Sequence, residues 1–204
     1  VKYVVVDEMQ DYTPLQFEIL RLLYAGSSLT ILGDLNQSIN PYANIGSYKA
    51  ITDIFDIHDA AAINLTKSYR STGEITAFCR ALLPGEERWD YIPRKGSKPE
   101  VIKAAGEGEL YAAIIKSIKH LRESGFNSVA VICKTAHESR RAYERIKRET
   151  GARLVTGDDT EFSAGVVVIP SYLSKGLEFD AVLVLCTEDG NYCHEDERKL
   201  FYTV

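Results

Sequence analysis

Tyr3-Val4-Val5-Val6-Asp7-Glu8-Met9-Gln10-Asp11 is the stretch that decides how the chain is read. A short apolar run of this kind is the pattern of a strand buried on both faces of a parallel sheet. Open α/β sheets bind ligands just outside the carboxyl ends of such strands. Here that end carries two adjacent carboxylates, Asp7 and Glu8, followed by the amide of Gln10 and the third carboxylate of Asp11. One carboxylate at such a point suits Mg²⁺, which binds through one or two carboxylates plus phosphates and keeps several waters. Its neighbour is placed to take a proton from an attacking water. An ordinary strand with a polar exit explains the first half of the string equally well. The extended Asp-Glu-Met-Gln-Asp string favours chemistry.

Size and composition bound the rest. The 204 residues suit one large domain or two small ones. With 45% hydrophobic and 26% charged residues, the chain has the make-up of an ordinary globular protein rather than a disordered one. No run approaches the roughly 18 apolar residues of a membrane span, and no signal-peptide pattern opens the sequence. A cytoplasmic protein without membrane contact is therefore the expectation. Cys79, Cys133, Cys186 and Cys193 share no metal-type spacing, and the first three lie in apolar segments, as reduced core thiols do. The charge is uneven. Residues 1–64 carry 3 basic and 8 acidic side chains, residues 65–153 carry 18 and 11, and residues 154–204 carry 3 and 10. A positive middle suits a polyanion, though a solvated surface is the commoner meaning.

Read in order, the chain alternates strands and helices. Thr13-Pro14-Leu15-Gln16 has the signature of a capped helix start, and Leu15, Ile19, Leu22 and Leu23 continue at helical spacing to Gly26. Ser28 to Leu32 is a second strand, running into Gly33-Asp34-Leu35-Asn36-Gln37-Ser38. A strand–helix–strand unit of this length favours parallel pairing with a right-handed crossover. Both polar exits then fall on one sheet edge, bringing Asp7, Glu8, Gln10, Asp34 and Gln37 into one crevice. Further on, the pattern predicts a short helix from Ser47 to Phe55, a strand over Ala62–Leu65, and a helix to Leu83 boxed by Ser71 and Glu74. A loop is expected over Pro84–Pro99 and a strand over Glu100–Ala105. A helix follows from Leu110 to Leu121, closed by Gly125, and then a strand over Val129–Cys133. Thr135 and Glu138 box another helix. Short strands at Arg153–Val155, Val166–Ile169 and Ala181–Leu185 precede a helix from Asp196. The expected fold class is α/β, in two lobes. The chain opens on a central-looking strand and ends inside a helix, so a fragment of a longer protein is expected.

Four polar motifs punctuate this pattern: Val6 to Asp11; Leu32-Gly33-Asp34-Leu35-Asn36-Gln37-Ser38-Ile39; Lys67-Ser68-Tyr69-Arg70-Ser71-Thr72; and Ser174-Lys175-Gly176-Leu177-Glu178-Phe179-Asp180. A fifth, Arg198-Lys199-Leu200-Phe201-Tyr202-Thr203-Val204, runs to the last residue. Each alone is a weak to moderate signal. In this order they resemble motifs II to VI of superfamily 1 helicases of the UvrD/Rep type, across nearly the whole chain. The resemblance implies RecA-like parallel-sheet lobes of the P-loop NTPase class. Residues 1–64 would be the C-terminal part of the first lobe, and residues 65–204 a second lobe truncated at its C-terminal end.

It also implies roles. Asp7 would hold Mg²⁺ on ATP and Glu8 would activate the hydrolytic water. Gln10 and Gln37 would sense the γ-phosphate. Tyr69 would stack on adenine, and Arg70 would reach the γ-phosphate and neutralise transition-state charge. Glu178 would bond the ribose hydroxyls, with Gly176 allowing close backbone approach. Tyr42, Tyr172 and Lys175 are candidates for nucleic-acid contact. No G-x-x-x-x-G-K-[ST] phosphate loop occurs in the 204 residues. The main triphosphate cradle is therefore expected upstream of Val1, and the fragment alone is expected not to hydrolyse ATP.

Three departures from the family pattern narrow the reading. No arginine follows Tyr42 before Arg70, so the usual aromatic–arginine DNA track is altered. Only ten residues, Thr156 to Gly165, stand where the family commonly inserts an accessory subdomain. The histidine of the fifth family motif is replaced by Tyr172. These features look most like the helicase IV/HelD branch, whose HelD members bind RNA polymerase and use ATP to dislodge it. Three functions are thus in play: an ATP-driven DNA helicase or translocase, an RNA-polymerase remodelling ATPase, and a non-catalytic binding module. The last is disfavoured by the retention of Asp7, Glu8, Gln37, Arg70 and Glu178.

Overall fold

The computed structural model describes residues 1–40, 44–56, 60–65, 67–68, 70–82, 90–91, 94–159, 164–186, 192 and 197–203. They group into two compact units, Val1–Pro99 with His194–Thr203, and Glu100–Cys193. The division falls after Pro99, whereas the family resemblance sets the expected lobe boundary between residues 64 and 65.

In the first unit, strand β1 (Tyr3–Val6) leads through a 3₁₀ turn at Met9–Asp11 to helix α1 (Pro14–Leu23). The capping box is formed as the sequence predicts. Thr13 Oγ1 accepts from the Gln16 N–H, and Gln16 Oε1 accepts from the Thr13 N–H. Strand β2 (Ser28–Ile31) pairs parallel to β1 from Tyr3↔Ser28 to Val6↔Ile31. After a second 3₁₀ turn at Leu35–Gln37 comes helix α2 (Tyr48–Phe55), capped by Ser47. Phe17, fully buried, joins α1 to α2 by an edge-on contact with Phe55, ring centroids 6.2 Å apart. Such pairs add roughly 0.5–1.5 kcal/mol beyond their area. The first strand is not buried on both faces as its apolar run suggests. Val6 is buried and Val4 half-buried, while Tyr3 and Val5 are 75% and 66% exposed. The alternation has period 2 because the β1–β2 pair carries a core on one face only among the described residues.

The remainder of this unit corrects three expectations. Ala62–Leu65 forms no strand: Ile63 and Leu65 are exposed and no described segment pairs with them. Instead β3 (Lys67–Ser68) pairs in parallel with β4 (Asp90–Tyr91), which falls in the stretch expected to be loop. Helix α3 (Gly73–Arg80) is capped by Thr72, whose hydroxyl accepts from the Ile75 N–H. Glu74, expected to box with Ser71, accepts from the Gly96 N–H instead. Adjacent serine and threonine both cap well, so sequence leaves a one-residue slip open.

The second unit begins with an irregular stretch where a strand over Glu100–Ala105 is expected. Val101 and Ile102 are exposed there, without a neighbouring strand among the described residues. Helix α4 (Glu107–Glu123) is followed by β5 (Ser128–Cys133), α5 (Ala136–Thr150), β6 (Arg153–Leu154), β7 (Gly165–Pro170), α6 (Ser171–Ser174) and β8 (Ala181–Val184). The four strands form one parallel sheet in the order β6-β7-β5-β8. Alternation divides its two cores. Val129, Val131, Cys133, Val166 and Val168 face Ile114 and Ile118 of α4 and Ala142 and Ile146 of α5. Ala130, Ile132, Val167 and Ile169 face the other way, onto Leu173, Leu177 and Phe179. Burial in the first core pushes the Cys133 thiol up to about 12, so it stays protonated. Cys79 is half-buried, and Cys186, read as a core thiol, is exposed just past β8. Helix α7 (Glu197–Thr203) belongs to the first unit.

Asp180 anchors the start of β5 to β8. Its carboxylate accepts the N–H groups of Asn127 and Ser128 at 2.8 and 2.9 Å, and its own N–H donates to Ser128 Oγ. Those bonds to the ionised form hold its carboxyl below the usual range. A depressed folded pKa contributes stability that is complete above the unfolded value and is lost as pH falls through the folded one. Asp180→Ala is therefore expected to melt at a lower temperature than wild type at pH 7. That gap should narrow as pH is lowered below about 4. Thermal unfolding followed by circular dichroism at the two pH values checks both signs.

Candidate nucleotide site

The parallel register of β1 with β2 brings their two exits side by side. The Leu32 N–H donates to Val6 O at 2.8 Å and the Met9 N–H donates to Leu32 O at 2.9 Å, so the pairing continues past the strands into the polar loops. Asp7 and Glu8 stand exposed at this edge. Asp7 Oδ1 accepts the Glu8 N–H at 2.8 Å, and Glu8 adopts φ 51°, ψ 44°. The left-handed region is uncommon for residues other than glycine, and holding one there costs about 1–3 kcal/mol.

Behind the carboxylates lies Gln10, with no exposed surface. Its Nε2 donates to Glu8 Oε2 at 2.5 Å, and its Oε1 accepts the Asp34 N–H at 3.0 Å. The Asp34 carboxylate in turn accepts the Asn36 N–H at one oxygen and Gln37 Nε2 at the other, each at 2.9 Å. Asp11 accepts the Ile39 N–H at 3.4 Å. The five polar residues expected in one crevice are thus linked across the two loops. The structure adds Gly33, which sequence did not single out. A β-carbon there would collide with Gln10 Oε1 and lie 2.9 Å from Met9 N. Its signal in sequence is its place, the last residue before the Asp34 cap. Lys199 of α7 also reaches this edge, donating to Leu35 O at 3.4 Å.

Arg70 is exposed just before Thr72 and α3. Tyr69 and Tyr42 lie outside the described residues. In the second unit, Leu177 and Phe179 point into the core and Glu178 points out, while Gly176 takes φ 81°. Tyr172, 49% exposed, borders a small cleft with Arg140, Thr156 and Gly157; Lys175 is half-buried. That cleft measures about 70 Å³, well below the roughly 300–1,000 Å³ of small-molecule sites. The buried hydroxyl of Ser171 holds α6 in place by donating to Lys134 O at 2.9 Å.

Among the described residues, no group of three or more His, Cys, Asp or Glu side chains is placed to hold a metal ion alone. No helix among them is long and apolar enough to cross a membrane.

Two parallel-strand units, the first with its carboxylates gathered at the carboxyl edge of the sheet, define an α/β protein of RecA-like lobe type. Residues 1–55 match the UvrD/REP helicase N-terminal domain family. The chain is 29% identical over 140 residues to the ATP-dependent DNA helicase Rep of Buchnera aphidicola subsp. Baizongia pistaciae, covering 63% of this chain and 20% of that protein. It is 26% identical over 185 residues to the ATP-dependent DNA helicase PcrA of Leuconostoc citreum, covering 85% of this chain and 24% of that protein. The crystal structure of the C-terminal domain of a possible DNA helicase from Lactobacillus plantarum WCFS1 superposes with a TM-score of 0.56 at 32% identity. That match covers 67% of this chain and 79% of that one. The chain is thus similar to DNA helicases of the UvrD/Rep type, and the family match itself falls on residues 1–55. The chain spans 20–24% of the length of these two curated relatives.

Gly33→Ala tests the packing of the edge. Overpacking of this kind costs about 1–3 kcal/mol, so a fall in unfolding free energy of that size is expected in urea titrations, with unchanged m-value.

Proposed function

We propose that the protein carrying this chain hydrolyses ATP and couples the hydrolysis to movement on DNA, in the cytoplasm. The observation that carries this reading is the exposed Asp7–Glu8 pair at the exit of a parallel strand, with Gln37 held by Asp34 at the neighbouring exit. In this reading Asp7 holds Mg²⁺, which would supply charge neutralisation at the phosphates when bound with ATP. Glu8 takes the proton of the attacking water, and Gln37 contacts the γ-phosphate. Arg70 neutralises charge that develops on the transferring group, and Tyr69 stacks on adenine. Glu178 bonds the ribose beside the backbone of Gly176. Tyr42, Tyr172 and Lys175 contact the nucleic acid. The lobe assignment, 1–64 and 65–204, rests on motif order, since 65–99 group with the first unit and their β3–β4 pair is a sheet of its own.

A second reading, ATP-driven remodelling of RNA polymerase in the manner of HelD, draws on the short link between β6 and β7, which are paired in parallel with only residues 155–164 between them. A pulldown of RNA polymerase beside a strand-displacement assay separates the two. Unwinding without polymerase binding supports the first.

Two substitutions in the full-length protein test the hydrolytic assignment. Glu8→Gln is expected to lower kcat by about 10²–10⁴, the span of a general base, with ATP still bound. Arg70→Ala is expected to lower kcat by about 10³–10⁵ with little change in KM for ATP. Equal losses in turnover and affinity would remove Arg70 from the transition state. The 204-residue chain by itself, which contains no phosphate-loop motif, is expected to show no turnover.

A further inference from the structure

We infer that Gln10 is a positioning residue: it holds the Glu8 carboxylate in place and ties it to the loop that carries Asp34 and Gln37. This rests on the ATP-hydrolysis reading. A fully buried glutamine is unusual, and its amide is costly to bury unless both ends are bonded. Both ends are. Nε2 donates to Glu8 Oε2 and Oε1 accepts the Asp34 N–H. The amide is therefore spent inside the protein, on the two loops, rather than aimed outward at a phosphate.

Three neighbours make the arrangement specific. Glu8 is held in the left-handed region by its own N–H on Asp7 Oδ1 and by its carboxylate on Gln10. Met9, 2% exposed, is fastened to the second loop through Leu32 O and fixes the chain between the two carboxylates and Gln10. Gly33 supplies the space, since any β-carbon would meet Gln10 Oε1. The result is one continuous polar chain, Glu8–Gln10–Asp34–Gln37, running from the group that activates water to the group that meets the γ-phosphate. Arrival of the nucleotide at Gln37 is thereby felt at Glu8 without any contact between them. A displaced catalytic group costs about 10²-fold in rate. That is the effect expected of cutting the chain.

The experiment uses the full-length protein with Gln10→Leu, which removes both bonds, and Gln10→Glu, which keeps an acceptor for the Asp34 N–H but removes the donor to Glu8. Both are expected to lower kcat by about 10²-fold with KM for ATP unchanged. A folded variant with wild-type kcat, or a loss confined to KM, overturns the inference and returns Gln10 to direct nucleotide contact. The link is also read without turnover, by hydrogen exchange at the Asp34 amide. That amide should exchange about tenfold faster in Gln10→Leu, the effect of losing one bond of ordinary strength, and stay protected in Gln10→Glu. Unchanged exchange in Gln10→Leu overturns the link whatever the kinetics show. Turnover that survives Glu8→Gln, with the exchange pattern as expected, instead overturns the hydrolysis reading and leaves the link standing.

Discussion

The parallel register of β1 with β2 is the constraint on which the candidate site depends. Pairing Val6 with Ile31 puts both strand exits at one level, and the bonds from Leu32 to Val6 and from Met9 to Leu32 carry the pairing into the loops. A shift of one residue would turn Val6 out of the core. It would also separate Gln10 from the Asp34 N–H. The polar groups are thus positioned by an apolar register, held on one side by Val6, Met9, Phe17, Ile45 and Ile51. Glu8 can occupy a costly backbone conformation because its two neighbours in the site, Asp7 and Gln10, both bond to it.

The second unit uses alternation for the same purpose. In the segment after β7, Leu173, Leu177 and Phe179 close one face of the sheet. The intervening Tyr172, Gly176 and Glu178 are presented outward. Asp180 then pins the segment's far end to Asn127 and Ser128. From Gly176 to Asp180 exposed and core-facing residues alternate one by one, so there the hydrophobic set determines where the polar set points.

Much of this was legible in sequence because it is local. The boxes at Thr13–Gln16 and Thr135–Glu138 depend on residues three apart and formed as read. The strand–helix–strand unit brought Asp7, Glu8, Asp34 and Gln37 to one edge by topology alone. What sequence could not show depends on separation in space. Gln10 reads as one more outward polar residue until its burial and its bond to Asp34, 24 positions away, are seen. Gly33 reads as a turn residue until the atoms behind it are known. Ala62–Leu65 has the composition of a strand, but strands form by pairing, and no described partner is there. The two-residue strand at Asp90–Tyr91 has no periodicity to detect. Tyr42 and Tyr69 fall outside the described residues.

The central claim is that the acidic exit of β1 is the hydrolytic edge of an ATP site, with its water-activating carboxylate fixed from behind. A crystal structure of the full-length protein with Mg²⁺, ADP and aluminium fluoride tests it most directly. The account predicts the Glu8 carboxylate within hydrogen-bond reach of the water in line with the fluoride, about 2.6–3.2 Å, and still bonded to Gln10, with Asp7 on the metal side. A complex in which Glu8 turns away from that water, or in which Gln10 leaves Glu8 to touch the fluoride itself, would contradict it.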